Sequence, residues 1–266
     1  MNARMIVKAK NSGSRRVDTL PQRRFISPIL FLISFAIVVL SFIFVLEMPA
    51  QKILIQTSFE NYAPVNQEVA FQVSTDTVKT GKKSLGIFFE VQNQLHISGD
   101  KLETDESVVS VEFWVYIERG RQSFAVNLNA TEQSFENNAG GPYVDWYDGD
   151  IRYHVHRGDP WREIVNYPVN KWHYIRIVAD FEEDVFDFYM GESREEALAS
   201  RPKRDLPFQG PALALHPKWF IILAWAMDAP GYIDDLLIYE GDKPINLAVE
   251  PAGKLTTLWG QLKQRK

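Results

Sequence analysis

The sequence predicts an all-β sandwich tethered to a membrane by a single N-terminal helix, and three observations carry that prediction. Residues 25–46, FISPILFLISFAIVVLSFIFVL, hold no charged side chain and only Ser27, Ser34 and Ser41 as polar breaks. Beyond them, apolar and polar residues alternate over short runs bounded by Gly, Asp and Asn turn signals, the period of strands. No long stretch after residue 46 shows a 3.6-residue apolar stripe.

Residues 1–24 form a basic tail in which Arg4, Lys8, Lys10, Arg15, Arg16, Arg23 and Arg24 face one acid, Asp18. At 1.5 Å rise per residue, the apolar run 25–46 reaches roughly 30 Å, the thickness of a bilayer's hydrocarbon core. In lipid its backbone must satisfy its own hydrogen bonds, so the run is expected to be helical. Pro28 falls in the first turn, where a missing N–H does little harm. The positive tail predicts a cytoplasmic N-terminus and a body delivered outside. A cleaved signal peptide is the rival reading. It would carry an apolar core of about 7–15 residues and small residues at the cut, whereas Met48-Pro49-Ala50 offers Met and Pro there. An uncleaved anchor in the lipid bilayer is favoured.

Residues 47–52 make a short stalk, and residues 53–245 are one domain's worth of chain. The 266-residue chain has no cysteine, so no disulfide, thiolate metal site or Cys nucleophile exists. Its net charge of −5 includes the basic tail, so the body is more acidic than the whole. That excludes nucleic acid as the expected partner, since phosphate neutralisation needs clustered Lys and Arg.

The strands follow in order. Residues 53–58 open the domain, and residues 83–90 follow a Thr80-Gly81 turn. In residues 108–118, Val109, Val111, Phe113, Val115 and Ile117 share one face, with Ser110, Glu112, Trp114, Tyr116 and Glu118 opposite. Residues 121–128 follow Gly120. Residues 143–147 and 151–156 flank Asp148-Gly149, a two-residue hairpin signal. Residues 172–181 and 185–190 flank the acidic turn Glu182-Glu183-Asp184, and residues 220–225 and 232–239 close the domain. Residues 192–200 are expected to form one or two helical turns inside an insertion running to Pro207. Residues 246–266 are an extension whose Leu255, Leu258, Trp259 and Leu262 permit a short amphipathic helix.

Four segments together resemble the concanavalin A-like lectin/glucanase superfamily, in particular its LamG-like sandwiches. They are Phe59-Glu60, Thr80-Gly81-Lys82-Lys83-Ser84-Leu85, the run from Asn170-Lys171-Trp172 to Tyr189-Met190-Gly191, and Gly231-Tyr232-Ile233-Asp234-Asp235-Leu236. The last is similar to the family's closing G-x-I-D-D strand. The resemblance spans the body and implies a concanavalin A-like jelly-roll sandwich; a galactose-binding-like jelly roll shares the first and last motifs. It also implies a structural Ca²⁺ where the first and last strands meet, held by the carboxylates of Glu60 and Asp235 with carbonyls from residues 80–83. The alternative is that Glu60 and Asp234 cap turns.

Alternation sets Glu112, Trp114 and Tyr116 on one side of their strand, Tyr174 and Arg176 on one side of theirs, and Asp187 with Tyr189 on another. It likewise pairs Arg152 with His154. Were these strands to share one concave sheet, they would line a groove of aromatics and fork-like donors suited to an oligosaccharide, with Trp161 at its rim. Ordinary amphipathic strands covered by a loop are the alternative. His154 and His156 lie at strand spacing, but no third metal ligand is evident nearby.

Catalysis finds less support. A glucanase of this superfamily carries E-x-D and a further Glu on one strand; residues 182–187 come nearest, but end in Asp and straddle a turn. Jelly-roll lyases use Arg, His and Tyr, and Gln94-Leu95-His96 only faintly matches their Q-x-H element. The expected function is therefore a non-catalytic, lectin-like module binding glycan or another cell-surface ligand. A lyase or hydrolase of the same fold, and a partner-binding ectodomain, are the alternatives.

Overall fold

Each strand of the domain pairs antiparallel with its neighbours, and the strands gather into two sheets (computed structural model; residues 51–61, 71–88, 93–96, 102–118, 123–130, 140–156, 158–211, 214–224 and 229–245 described). The first sheet has eight strands. In spatial order these are β12 (Lys203–Pro207), β11 (Val185–Gly191), β10 (Trp172–Asp180), β5 (Val108–Ile117), β14 (Gly231–Glu240), β3 (Ser84–Ile87) and β2 (Phe71–Ser74). The eighth, β1 (Ile53–Thr57), pairs with the second half of β14. The second sheet runs β4 (Asn93–His96), β13 (Trp219–Ala224), β6 (Ser123–Asn129), β7 (Tyr143–Tyr147), β8 (Asp150–Tyr153) and β9 (Arg162–Asn166). One six-residue helix, α1 (Arg194–Ala199), interrupts the strands.

The core lies between the sheets and is built by the alternation read from the sequence. Val109, Val111, Phe113, Val115 and Ile117 of β5 meet Ile175 and Ile177 of β10, Phe186 and Phe188 of β11, and Phe124, Trp146 and Ile222 of the second sheet. Trp146 stacks on Phe124 with ring centroids 4.9 Å apart, adding aromatic bulk to the branched side chains around it. This burial is the main favourable term in a domain without disulfides.

The turns follow their residues. Asp148 and Gly149 both take positive φ, 51° and 94°, the pair of left-handed positions that a two-residue hairpin needs. At the acidic turn, the Asp180 carboxylate accepts from the N–H groups of Glu182 and Glu183 at 3.0 and 3.2 Å. Gly141 begins the approach to β7 so close to β6 that a Cβ there would sit 1.9 Å from the Leu128 carbonyl oxygen. On β14 the register breaks after Asp234, and Asp235 takes a φ of 49°. That bulge hands the strand's edge from β3 (Ile233 opposite Leu85) to β1 (Leu236 opposite Thr57).

Residues 192–207 are not a plain insertion. Ser193 caps α1 by accepting from the Glu196 N–H, and Glu196 reaches back to the Glu192 N–H at 2.8 Å. The chain then returns as β12 to pair with β11 at the sheet's edge. The tail, the apolar run 25–46, Trp225 and the C-terminal extension lie outside the described residues; among the described residues no helix is long and apolar enough to cross a membrane.

Candidate functional site

On the outer face of the eight-stranded sheet, the side chains expected to meet a ligand meet one another. The Glu112 carboxylate accepts from Tyr239 Oη at 2.5 Å, from Tyr174 Oη, and from Arg194 Nε at 3.1 Å, and lies 3.3 Å from Arg176 Nε. Arg176 in turn donates to Ser110 Oγ at 3.2 Å and to the Asp242 carbonyl, while Arg194 donates to the Ile245 carbonyl at 2.7 Å. Residues 241–245 therefore form a strap across this face, held by two arginines that share one buried carboxylate. Burial, reinforced by the adjacent Glu112 charge, pushes the Tyr239 hydroxyl up to about 12 and Tyr174 further in the same direction. Both phenols are neutral donors at any physiological pH.

Farther along this face the aromatics are half-buried. Trp114 packs edge-on to Tyr174 at 5.2 Å and lies under the Lys79 ammonium at 3.8 Å; Tyr116 joins Trp172 and Tyr232 at 5.5 and 6.0 Å. Asp187 accepts from the Asp205 N–H at 3.1 Å, and the Tyr189 ring lies 5.1 Å from the Arg176 guanidinium.

The expectation of a single groove is corrected by the topology. Glu112, Trp114, Tyr116, Tyr174, Arg176, Asp187 and Tyr189 belong to the eight-stranded sheet, whereas His154 directly follows β8 and Trp161 directly precedes β9 of the six-stranded one. Trp161 packs with Ala125, Tyr143, Trp219, Ile221 and Leu223, which alternate with the core-facing Phe124, Phe220 and Ile222. The two groups thus point away from each other across the sandwich. Alternation along a strand says which residues face out, but not which sheet the strand joins.

The outer face of the six-stranded sheet carries a second cluster. Arg152 Nε donates to Asp145 Oδ2 at 2.7 Å, and its guanidinium lies 3.9 Å from the Tyr147 ring and 4.3 Å from that of Trp161. Trp161 also meets His154 at 4.8 Å and Tyr143 at 5.6 Å. His154 Nε2 lies 3.1 Å from the Asp159 carbonyl, and Nδ1 lies 3.2 Å from Gln209 Nε2. The first contact requires Nε2–H, which leaves Nδ1 to accept from the amide. Burial holds the imidazole below its usual pKa, in keeping with this neutral form. Fixing the Gln209 amide in this way turns its oxygen elsewhere. Gln209 Oε1 and Asn127 Oδ1 are both buried without a hydrogen-bond partner, and Asn127 stands opposite Tyr143 in the β6–β7 register. Arg152 was legible as an outward residue, and Asp145 alternates to the same face, but nothing in the sequence singles out Asn127 or Gln209.

The expected calcium ligands meet at the β14 bulge. Glu60 Oε1 accepts from the N–H groups of Lys82 and Lys83, and both Asp235 oxygens lie within 2.9 Å of the Thr80 hydroxyl. Asp234 accepts from the Lys79 and Thr80 N–H groups at 3.0 and 3.1 Å. These donor sets cap a loop rather than enclose a cation, and among the described residues no three His, Cys, Asp or Glu side chains gather into a metal cage. A calcium ion with six to eight oxygens would need backbone carbonyls or water beside the Glu60 and Asp235 carboxylates.

No protein-family model matches the chain, and no curated protein matches it in sequence. Similar solved structures include a sialidase (11% identity, 73% of this chain, TM-score 0.44), of which this chain spans only 19%. The globular domain of T. cruzi calreticulin is similar over 80% of this chain and 95% of its own, at 12% identity and TM-score 0.47. The carbohydrate-binding module CBM66 from Bacillus subtilis is similar over 73% of this chain and 98% of its own, at 13% identity and TM-score 0.38.

Proposed function

We propose that this chain is a membrane-anchored, extracytoplasmic lectin-like module that binds carbohydrate, without transforming it, on the outer face of its six-stranded sheet. The observation that carries this reading is the half-buried Trp161 ring on that face, with the Arg152 guanidinium at 4.3 Å, His154 at 4.8 Å and Tyr143 at 5.6 Å. The apolar face of a pyranose suits such an indole, and polar side chains at its edge suit sugar hydroxyls. Arg152 and Asp145 add a charged pair beside it.

Two features favour binding over catalysis. A retaining glycosidase needs two carboxyls about 5–5.5 Å apart, whereas Asp145 is the one buried carboxylate of this sheet among the described residues and is held by Arg152. A lyase needs a histidine or tyrosine free to move a proton, whereas both ring nitrogens of His154 are engaged.

The test is a glycan array probed with the detergent-solubilised full chain. Binding to a defined set of glycans is expected, with neither new reducing ends nor ultraviolet-absorbing unsaturated products after prolonged incubation with the bound glycan. Absence of any bound glycan, with co-purification of a membrane complex instead, would overturn the reading in favour of a partner-binding ectodomain.

A further inference from the structure

The run Arg201-Pro202-Lys203-Arg204 puts three cations within four residues of a chain whose net charge is −5. It leads from α1 into β12, and its residues line an open groove of about 440 Å³. Arg201, Lys203 and Arg204 are all exposed. Arg204 approaches Asp187 only to 4.0 Å and stays 68% exposed. Among the described residues, neither Arg201 nor Lys203 has a carboxylate within that distance.

A basic residue on an edge strand has an ordinary role, to discourage pairing with another chain. On β12 that role is already filled. Asp205 takes a φ of 55° where the register with β11 shifts, and Pro207 withholds a donor. Lys203 completes the protection by itself, so the two arginines beside it call for a different account. Arginine's fork offers paired N–H donors to carboxylate, phosphate and sulfate oxygens. Like charges held side by side repel until an anion sits between them.

The chain's route ties this groove to the candidate carbohydrate face. Five residues past Arg204, Gln209 Nε2 lies 3.2 Å from His154 Nδ1, and His154 meets Trp161 at 4.8 Å. Gly210 then donates to the Val155 carbonyl at 2.7 Å, so the strand that carries the groove runs on to the edge of that face. Five extended residues span at most roughly 18 Å, a distance one oligosaccharide chain can cover.

We infer that the groove at residues 201–204 is an anion subsite, and that the glycan bound by this chain is acidic. Its carboxylate or sulfate groups meet Arg201, Lys203 and Arg204 while another sugar of the same chain stacks on Trp161. The inference rests on the carbohydrate reading of the six-stranded face and narrows it to acidic glycans. Asp187 and Asp205 share this edge, the first accepting the second's N–H. Direct contact with the three cations, rather than a broad positive field, therefore carries the selection.

The test is an array of matched neutral, uronate-bearing and sulfated oligosaccharides. It is probed with the detergent-solubilised full chain and with a variant carrying Arg201→Gln, Lys203→Gln and Arg204→Gln. The wild type is expected to bind acidic members roughly tenfold or more tightly than their neutral counterparts. The variant is expected to lose that difference and to hold the neutral members as before. Arg201→Glu alone is expected to weaken acidic binding about threefold or more, and 1 M NaCl to erase the preference, since charges there are screened beyond about 3 Å. Equal binding of acidic and neutral members, or an acidic preference that survives in the triple variant, overturns the inference and leaves the carbohydrate reading standing. Capture on phosphatidylglycerol vesicles that depends on the three cations, without a preference for acidic glycans, also overturns it and assigns the groove to lipid headgroups. A chain that binds no member of the array removes the carbohydrate reading and the inference with it.

Discussion

The Arg176 guanidinium lies 3.3 Å from the Glu112 carboxylate, and each side chain is 2% exposed. A charged pair so deeply buried on the outer side of a sheet is possible because the strap at residues 241–245 and Arg194 close over it. The network's worth lies in completeness, since every Glu112 contact disappears when the carboxylate does. Removing one partner of a buried pair costs about 3–5 kcal/mol, because the other charge stays behind. Glu112→Ala is therefore expected to destabilise the domain by about that amount in urea titration, and Glu112→Ala with Arg176→Ala by less than the sum of the single losses. Additive losses would contradict the network.

Stability should also carry a pH signature from the β14 bulge. Burial lifts the Asp234 carboxyl to about 6, and burial lifts Asp235 in the same direction. With its folded-state value above the unfolded value of about 3.9, Asp234 contributes stability that is fully present below about pH 4. That contribution is lost as the pH rises through 6. His154 and His173 act in the opposite sense, since burial lowers both; their contributions are fully present above the unfolded value near 6.5 and are lost as the pH falls from there through the lowered folded values. Comparison with Asp234→Asn isolates the first effect. Between pH 4 and 6.5 the wild-type melting temperature is expected to fall relative to that of the variant, and parallel profiles would contradict the assignment.

Chelation tests the donor sets at the same bulge. Because Thr80 and the loop's N–H groups already occupy Glu60 Oε1, Asp234 and Asp235, EDTA is expected to leave the melting temperature unchanged. A clear fall on chelation, reversed by Ca²⁺, would show that the loop rearranges to hold the ion.

Gly141 supports the candidate site from below, since Gln209 donates its backbone N–H to the Gly141 carbonyl at 3.0 Å. A methyl group at 141 would collide with the Leu128 carbonyl, which is backbone and cannot swing aside. Gly141→Ala is expected to cost about 2–4 kcal/mol in stability. A melting temperature within a degree of wild type would show that β6 and β7 tolerate separation.

Much of the fold was legible because it follows from local rules. The alternation in β5 and the Asp148-Gly149 turn needed only neighbouring residues, and the structure bears both out. The site was less legible because it depends on returns of the chain. Glu112 looks like a groove residue until residues 241–245 and α1 fold across it. Gln209 gains its role only because the chain leaving β12 crosses to the other sheet and meets His154. The division of nine expected residues between two outer faces likewise reflects sheet membership, which strand periodicity does not encode.

The most direct measurement is glycan affinity compared between Trp161→Ala and Trp114→Ala in the full chain, one tryptophan from each outer face. Binding on the six-stranded sheet predicts that Trp161→Ala abolishes measurable affinity, while Trp114→Ala leaves the dissociation constant within about twofold of wild type, less than 0.5 kcal/mol. Loss of binding with Trp114→Ala and full retention with Trp161→Ala would contradict it and place the ligand on the eight-stranded sheet.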